Sequence, residues 1–411
     1  MSSAIYITGL GSISAIGHDT ESVSRGYAEG GTRIRVEPVL RKPTPVARIT
    51  AAAEAQLESF LSQHDRYQAL DRSVHLALHA GRQAADQAGW TPRDSSFGVV
   101  LGSSRGATGL LERYFAEFLE AGASRTPSLA SPTTTLGNIS SWVAQDVQSH
   151  GPATEISSTC STSMYAVGHA VAWLRSGMAA RFLAGGSEAP LTDFTIAQMR
   201  GLRVYSRETE AAYPCQACAA NQGRKNSMVL GEGACVVALQ RLTDAELRAA
   251  SVPPLARVDG MGFCVEPIET NTSLSATGDA LAAAMRGALG PTPPRAVDLV
   301  VTHTPGTALG DQSELEALRT VFRDGLPILT SNKWILGHTL GAAGTLSIEY
   351  ALHALRTEQW VEYPYPVVFE NRSRPIRRVL VNSVGFGGNA GSILLSAPGY
   401  VPEHRWLVPF E

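Results

Sequence analysis

The sequence places one cysteine, Cys160, where a thiol can serve as a nucleophile. It follows the polar segment 155–159 and precedes a run with apolar residues at positions 164, 167, 171 and 174, closed by Gly177. This spacing predicts a buried helix that begins just after the cysteine. Free backbone N–H groups and the helix dipole at such a junction favour the thiolate. An inert buried cysteine is the alternative interpretation.

Lys333 and His338 form a second candidate cluster. They stand five residues apart in a glycine-containing segment that runs directly into an apolar helix. The chain contains few lysines, and the small residues near Lys333 let backbone segments pack closely. The spacing indicates a functional pair. A glycine-rich helix start with a surface lysine and a core histidine is the alternative.

His303 is the third candidate. The apolar residues over 297–301 predict a short strand that delivers His303 at its carboxyl end, where the chemistry of open α/β folds collects. Ser313 and Glu316 then predict a capping box that opens a helix. Taken alone, His303 fits a structural histidine equally well.

Composition excludes several classes of protein. The chain has 411 residues, 44% of them hydrophobic, enough for one large core or two fused ones. Its net charge of −3 gives no general attraction to nucleic acid or membrane surfaces. No apolar run reaches the roughly twenty residues of a membrane span, and the N-terminus lacks a basic leader. Five cysteines indicate free thiols in a reducing compartment, so a cytoplasmic location is expected.

Cys215 and Cys218 form a C-x-x-C motif that could hold zinc or perform redox chemistry. No second ligand pair lies at metal spacing, and no thioredoxin-like pattern surrounds the motif, so no metal site is predicted. We expect the region 208–228 to be a surface loop. Cys235 and Cys264 are interpreted as inert.

The sequence divides into two similar halves, 1–245 and 246–411. Each half contains a strand, a glycine-containing turn with a reactive residue and an alanine- and glycine-rich helix; the reactive residues are Cys160 and His338. The repeat predicts a duplicated α/β architecture with apolar strands buried between helix layers.

Taken in order, these motifs resemble the β-ketoacyl-acyl-carrier-protein synthase family of the thiolase-like superfamily, in its elongating Cys-His-His branch. The resemblance covers nearly the whole chain. Its segments are Ile5–Gly11, Phe97–Ser104, the Cys160 turn, Ala184–Ala189, Val229–Ala234, the His303 turn, the Lys333–His338 segment and Asn382–Asn389. Initiating synthases are expected to carry asparagine in place of the second histidine, and thiolases a second cysteine. The resemblance implies the five-layered αβαβα thiolase-like fold.

The resemblance also implies a reaction. Cys160 would take an acyl group from the phosphopantetheine arm of an acyl carrier protein, with no metal and no cofactor of the protein's own. Neutral His303 and His338 would donate hydrogen bonds to the enolate left when malonyl-thioester loses CO2. The backbone N–H groups of Cys160 and Phe386 would bind the oxyanion of the final step.

Supporting roles follow from the same resemblance. Lys333 would keep His338 neutral by charge repulsion. Asp311 would support His303 through hydrogen bonds, and Thr307 would bind the phosphopantetheine arm.

Phe386 would seal the acyl pocket as a gate, with Gly387 and Gly388 supplying the backbone freedom for its movement. The expected partners are an acyl carrier protein, docked on arginines such as Arg203 and Arg207, and a second subunit. That subunit would be a copy of this chain or a chain-length-factor-like paralogue.

Four features depart from the family pattern. One is the segment 219–228, which replaces the usual acidic-arginine loop and has Asn226 and Ser227 where an Asp-Gly pair is expected. Pro305 replaces a threonine of the histidine loop. Ser347 stands where the family usually has glutamate, and Glu349 lies two positions on. Arg105 stands where the floor of the acyl pocket is usually small or apolar, and an unpaired charge there is costly. We expect a carboxylate from this chain or from the second subunit to pair with Arg105, or Arg105 to face a tunnel that accepts a polar or conjugated chain.

These departures favour a polyketide or polyene ketosynthase over a housekeeping fatty-acid enzyme. A non-catalytic chain-length-factor-like subunit is the alternative. Retention of Cys160, His303, Lys333 and His338 argues against it, because a scaffold has no need of these residues.

Overall fold

The computed structural model describes residues 3–90, 96–220, 225–267 and 274–400. Its strands are β1 Ser3–Ser14, β2 Arg35–Val39, β3 Lys42–Val46, β4 Gly98–Gly102, β5 Ala153–Ile156, β6 Arg181–Glu188, β7 Gly233–Thr243, β8 Ala256–Val265, β9 Leu299–Val301, β10 Ile328–Thr330, β11 Arg378–Gly385 and β12 Asn389–Ser396. Its helices are α1 Thr20–Glu29, α2 Ala51–Ser62, α3 Arg72–Gln87, α4 Thr108–Glu120, α5 Ala130–Thr134, α6 Asn138–Asp146, α7 Thr162–Ser176, α8 Asp193–Gly201, α9 Asp244–Ala249, α10 Asp279–Leu289, α11 Ala308–Val321, α12 Lys333–Leu336 and α13 Ala343–Thr357.

The main sheet repeats one pattern twice. Its order in the first half is β5-β4-β6-β7-β1, and in the second half β10-β9-β11-β12-β8. In each half the first two pairings are parallel and the next two antiparallel. Strands β1 and β8 pair antiparallel and join the halves. This repeat confirms the predicted duplication. The predicted division at residue 245 falls within α9, which links β7 to β8.

The two halves of this sheet act as two sheet layers, and helices cover both layers and also separate them. Helices α3 and α6 pack on the first half, and α10, with α11 beside it, packs on the second. Helix α7 lies against β4, β6 and β12, while α13 lies against β6, β7 and β11, so these two helices form the middle layer. Helix α13 is buried on all sides from Ala343 to Leu355, as an apolar helix between two sheets must be. The layers confirm the predicted αβαβα architecture. No helix in the described parts of the chain is long and apolar enough to cross a membrane.

The helix after His303 begins earlier than the sequence predicts. Helix α11 starts at Ala308, with Thr307 as its cap, and Ser313 lies buried inside it with Glu316 in its third turn. The predicted capping box is therefore wrong. Gly306, at a φ of 86°, closes the turn within three residues of His303, so little chain separates the histidine from the helix.

The C-x-x-C motif is buried, so the predicted surface loop over 208–228 is wrong at its centre. The Cys215 thiol donates to the carbonyl oxygen of Pro305 at 3.7 Å, and the N–H of Cys218 donates to the carboxylate of Asp311 at 2.9 Å. The motif thus packs beneath the His303 turn. Residues 221–224 of the loop lie outside the described residues. Within the described ranges, no group of three or more His, Cys, Asp or Glu residues is arranged to hold a metal ion.

Candidate active site

Cys160 sits on a tight turn between β5 and α7. Thr159 adopts a left-handed backbone with a φ of 51°, a conformation that non-glycine residues adopt only where the surroundings hold it. The Thr162 hydroxyl fixes the turn, because it donates to the carbonyl of Thr159 at 2.6 Å and accepts from the N–H of Ser158 at 2.8 Å. The turn presents Cys160 one residue before the cap of α7.

The chain after β11 lies directly against this turn. A Cβ atom on Gly385 would be 2.1 Å from Thr159 Oγ1, so glycine is needed for the approach. Thr159 Oγ1 donates to the carbonyl of Phe386 at 3.0 Å, and the N–H of Phe386 bonds to the Cys160 sulfur. The structure thus brings together the two backbone segments whose N–H groups the sequence analysis paired as an oxyanion site.

His303 and His338 face each other across the site. Their ring centroids are 5.1 Å apart, and the rings are almost perpendicular, at 86°. The backbone of His338 is held on both sides, since its N–H donates to Val229 at 2.7 Å and its carbonyl accepts from Gly231 at 3.0 Å. The Nδ1 atoms of both rings are buried without a hydrogen-bond partner among the described residues.

Both imidazoles are held neutral. Burial lowers the pKa of His338 to about 3, and repulsion from Lys333 lowers it further in the same direction. Burial also lowers the pKa of His303 well below its usual value, with His338 and Lys333 adding to the effect. The predicted influence of Lys333 is thus present, but burial is the larger cause. Neutral rings can each donate one N–H without imposing a full charge.

Lys333 is completely enclosed, and its ammonium group contacts uncharged oxygens. It donates to Ser347 Oγ at 2.8 Å and to Asn332 Oδ1 at 3.2 Å. Ser347, which stands where the family usually has glutamate, thus contacts the lysine directly. Glu349, two residues on, accepts a hydrogen bond from Tyr27 at 3.3 Å and does not pair with Lys333. Burial lowers the pKa of Lys333 to about 8, while the carboxylate of Glu314 acts in the opposite direction.

Lys333 gives the protein a stability term that depends on pH. Between about pH 8 and pH 10.5 the unfolded chain binds more protons at this lysine than the folded chain does, so stability rises with pH. Relative to a Lys333→Met variant, wild type should gain up to about 3 kcal/mol across this window. Urea unfolding at both ends of the window measures the gain. An exposed Lys225→Met variant is the control and should show none; a constant wild-type to Lys333→Met difference contradicts the prediction.

Two acidic residues on α11 hold the His303 turn, and the sequence analysis named only one. Asp311 accepts from the N–H of Gly306 at 3.1 Å as well as from Cys218, so it ties the turn to the C-x-x-C segment. Glu314 accepts from the N–H of His303 at 3.0 Å, from that of Thr304 at 2.9 Å and from the Asn382 amide at 2.9 Å. Direct support of the His303 backbone thus comes from Glu314. In the sequence, Glu314 is recognisable as an acidic residue on the apolar face of the predicted helix.

Glu188 is a second buried carboxylate that the sequence analysis did not identify. It accepts from the N–H groups of Ser104 at 2.9 Å, Gly341 at 2.7 Å and Arg105 at 3.2 Å, and from the hydroxyls of Ser103 and Ser104. It thus fixes the pocket loop 103–105 to the segment that follows His338. In the sequence, Glu188 is recognisable as a charged residue at the end of an apolar strand, β6.

Burial acts on Cys160 in the opposite direction to the thiolate-favouring effect expected of the helix terminus. Burial raises the pKa of the Cys160 thiol to about 12, and the negative charge of Glu188 adds to the rise. The hydrogen bond from Phe386 N–H and the charges of Lys333 and Arg105 only partly oppose it. Burial therefore favours the protonated thiol of Cys160.

These residues surround one cavity of about 140 Å³. Its lining includes the predicted site residues Cys160, His303, His338, Phe386, Thr307, Arg105 and Gly388. Lys333 and Asp311 lie behind the wall. Gly387, at a φ of 85°, adjoins the wall between Phe386 and Gly388 without lining the cavity. Most of the remaining wall is apolar and includes Met199, Met228, Leu340 and Val384.

The hydrogen-bond partner of Arg105 within this chain is an amide, and the expected pairing with a carboxylate of a second subunit stays a prediction. The Arg105 Nη2 donates to the side-chain oxygen of Gln198 on α8. Its Nε is buried and has no hydrogen-bond partner among the described residues.

Comparison with known proteins gives matches along the chain. Residues 2–245 match the family model for the beta-ketoacyl synthase N-terminal domain, and residues 255–364 match the model for the C-terminal domain. The 3-oxoacyl-[acyl-carrier-protein] synthase 2 of Staphylococcus aureus strain N315 is 26% identical, over 94% of this chain and 96% of the relative. Nodulation protein E of Rhizobium meliloti strain 1021 is 29% identical, over 87% of each.

Solved structures share the fold. The ishigamide ketosynthase/chain length factor aligns with a TM-score of 0.81 at 23% identity, over 97% of this chain and 100% of that one. A beta-ketoacyl synthase from Burkholderia phymatum aligns with a TM-score of 0.81 at 22% identity, over 96% and 100%. A type II polyketide ketosynthase bound to its acyl-carrier protein aligns with a TM-score of 0.82 at 21% identity, over 97% and 100%. These likenesses confirm the thiolase-like fold.

Proposed function

This chain belongs to the beta-ketoacyl synthase family, and we propose that it is a catalytically active ketosynthase that lengthens an acyl chain by decarboxylative Claisen condensation. One observation carries the proposal: Cys160, His303 and His338 line a single cavity, with Lys333 buried directly behind the histidines. Each group has a role in this reaction. The substrates arrive on the phosphopantetheine arm of an acyl carrier protein, and the protein contributes side chains and backbone N–H groups.

The first step moves the acyl group onto Cys160. The sulfur bonds to the thioester carbonyl as the bond to the pantetheine sulfur breaks, and the thiol proton ends on the departing pantetheine thiol. The Phe386 N–H already donates a hydrogen bond to the Cys160 sulfur, so it is positioned to donate to the oxyanion that forms beside that sulfur. Because the thiol rests protonated, acylation should accelerate as pH rises.

The second step removes CO2 from a malonyl-thioester. The bond to the carboxylate breaks, and its electron pair moves onto the thioester as an enolate. His303 and His338, both neutral, donate N–H groups to the enolate oxygen.

The third step forms the carbon–carbon bond. The enolate carbon attacks the acyl-Cys160 carbonyl, and the new oxyanion receives the N–H groups of Cys160 and Phe386. The bond to sulfur then breaks, the lengthened β-ketoacyl chain leaves on the carrier protein, and the Cys160 thiolate recovers a proton from solvent. This cycle restores the starting thiol.

A non-catalytic, chain-length-factor-like role is the rival. Its support is structural, because the similar structures include ketosynthase/chain length factor pairs. Incubation with an acyl-carrier protein carrying an acyl group, followed by intact-mass analysis, separates the two. An acyl adduct that maps to Cys160 supports the enzyme, and the absence of an adduct with every acyl donor supports the scaffold.

We propose that the second subunit binds along α4 and β5. Helix α4 exposes Leu111, Phe115 and Leu119, which recur every four residues and form one apolar stripe. Strand β5 is the edge of the sheet, and its other side has no strand partner among the described residues. Whether the occupant is a copy or a paralogue follows from native mass after co-purification.

We propose that the carrier protein docks at the cavity mouth beside Met228. Arg203 and Arg207 are both exposed, and Ser206, next to Arg207, donates its N–H to the carbonyl of Met228 at 2.7 Å. Arg203→Ala and Arg207→Ala should each weaken binding roughly two- to fivefold at low salt, and the loss should fade as salt screens the charges. Binding isotherms at two ionic strengths measure this, with exposed Arg248→Ala on α9 as the control. Binding that is indifferent to salt contradicts the dock.

The pathway is proposed as type II polyketide or polyene synthesis, ahead of fatty-acid synthesis. Its support is the set of departures at Arg105, Pro305 and Ser347. We place the protein in the cytoplasm, because all five cysteines are unpaired. Product analysis with purified carrier protein and malonyl donor tests the pathway.

A further inference from the structure

The cavity beside Cys160 contains a charged group that the condensation itself does not use. Arg105 lines the same cavity as Cys160, on the loop that Glu188 holds in place. Its guanidinium has one neutral partner, Gln198, and its Nε has none among the described residues. Arg105 as a whole is half-buried, but solvent does not reach its Nε, so the hydrogen bond of this N–H stays unmade until an acceptor arrives.

The position of Arg105 relates it to the acyl chain. Gln198 precedes Met199 on α8, and Met199 packs in one apolar cluster with Cys160 and Leu340. An acyl group bonded to Cys160 would lie along this cluster. Atoms far from the thioester would then reach the side of α8 from which Gln198 contacts Arg105.

We propose that Arg105, oriented by Gln198, selects acyl groups that carry a hydrogen-bond-accepting oxygen, a carboxylate or a hydroxyl, at the end away from the thioester. The inference rests on the proposed function and names its substrate class. A guanidinium offers several N–H donors in a fixed plane and binds oxygen acceptors well, whereas a saturated chain end leaves those donors without a hydrogen-bond partner.

Small thioesters test the selection without a carrier protein. Wild type is incubated with N-acetylcysteamine thioesters of matched chains that end in methyl, hydroxyl or carboxylate, at four, six and eight carbons. The rate of Cys160 acylation is read by intact mass. At the length that reaches Arg105, an oxygen-ended chain should exceed its methyl-ended match by about tenfold to a hundredfold in kcat/KM. The hydroxyl and carboxylate arms show which oxygen is preferred.

Variants locate the preference. Arg105→Met should abolish it and raise use of the methyl-ended chains, while Arg105→Lys should restore part of it. Arg25→Met, an exposed arginine of α1 far from the cavity, should leave it unchanged. A wild type that prefers methyl-ended chains at every length overturns the proposal. An Arg105→Met variant with unchanged selectivity also overturns it. If the dimer of that variant dissociates while its selectivity stays unchanged, Arg105 stabilises the contact between subunits instead.

A separate measurement keeps this proposal distinct from the condensation. Binding of the same N-acetylcysteamine thioesters to Cys160→Ala, followed by the rise in melting temperature, reports the pocket without the chemistry. If wild type forms no acyl adduct but Cys160→Ala still favours oxygen-ended thioesters, the proposed function fails and the selection stands. Acylation with no preference in either measurement leaves the condensation intact and rejects the role of Arg105.

Discussion

Replacing Cys160 with serine is expected to lower the rate of condensation by roughly a thousandfold or more. A hydroxyl in the same turn is a far weaker nucleophile than a thiol and gives an ester where the next step needs a reactive thioester. The turn itself should persist, because its hydrogen bonds come from Ser158, Thr159 and Thr162. The measurement is formation of β-ketoacyl carrier protein from acyl- and malonyl-carrier protein, with intact mass to follow the adduct.

The matched control is Cys264→Ser. Cys264 is partly exposed at the end of β8 and lies outside the cavity, so its replacement should leave the rate unchanged. Loss of activity in Cys264→Ser with retention in Cys160→Ser would reject Cys160 as the nucleophile. A Cys160→Ser protein that still condenses at the wild-type rate would do the same.

The parts of the site that sequence alone predicts are those set by local pattern. Cys160 and His338 occupy equivalent places in the two halves, each between a strand and a middle-layer helix, and that repeat is visible in the residues. His303 follows a three-residue apolar strand, so its place at the carboxyl end of that strand also follows from the pattern of residues. The αβαβα layers follow because buried strands and alternating helices leave few other arrangements.

Tertiary contacts decide what sequence could not. Glu188 accepts from the distant N–H groups of Ser104 and Gly341, and Glu314 accepts from the distant side-chain amide of Asn382, so these contacts form only in the folded chain. The pKa of Cys160 depends above all on how deeply the turn is buried, and the residues next to Cys160 in the sequence do not reveal that depth. For the same reason Cys215 and Cys218, polar in their sequence context, were expected at the surface although they pack under the His303 turn.

Removing either imidazole is expected to separate the two halves of the reaction. His303→Ala and His338→Ala should each slow malonyl decarboxylation about a hundred- to a thousandfold, because each removes a donor to the enolate oxygen. Transfer of the acyl group onto Cys160 should change little, since its oxyanion uses backbone N–H groups. Conversion of malonyl- to acetyl-carrier protein measures the first effect, and intact mass at Cys160 measures the second.

The control for loss of a buried neutral imidazole is His353→Ala, on α13 away from the catalytic cavity. Burial lowers the pKa of His353 to about 4, so it resembles the pair in environment but not in position.

The pH profile of decarboxylation adds an independent readout. Because the pKa of His338 is about 3, wild-type decarboxylation should stay level as pH falls from about 7 to about 5. A steep change in that interval would mean that an imidazolium forms and acts in the step. Folded histidine variants that cannot be acylated would instead make the imidazoles bases for the Cys160 thiol, and the division between backbone and side-chain donors would then be wrong.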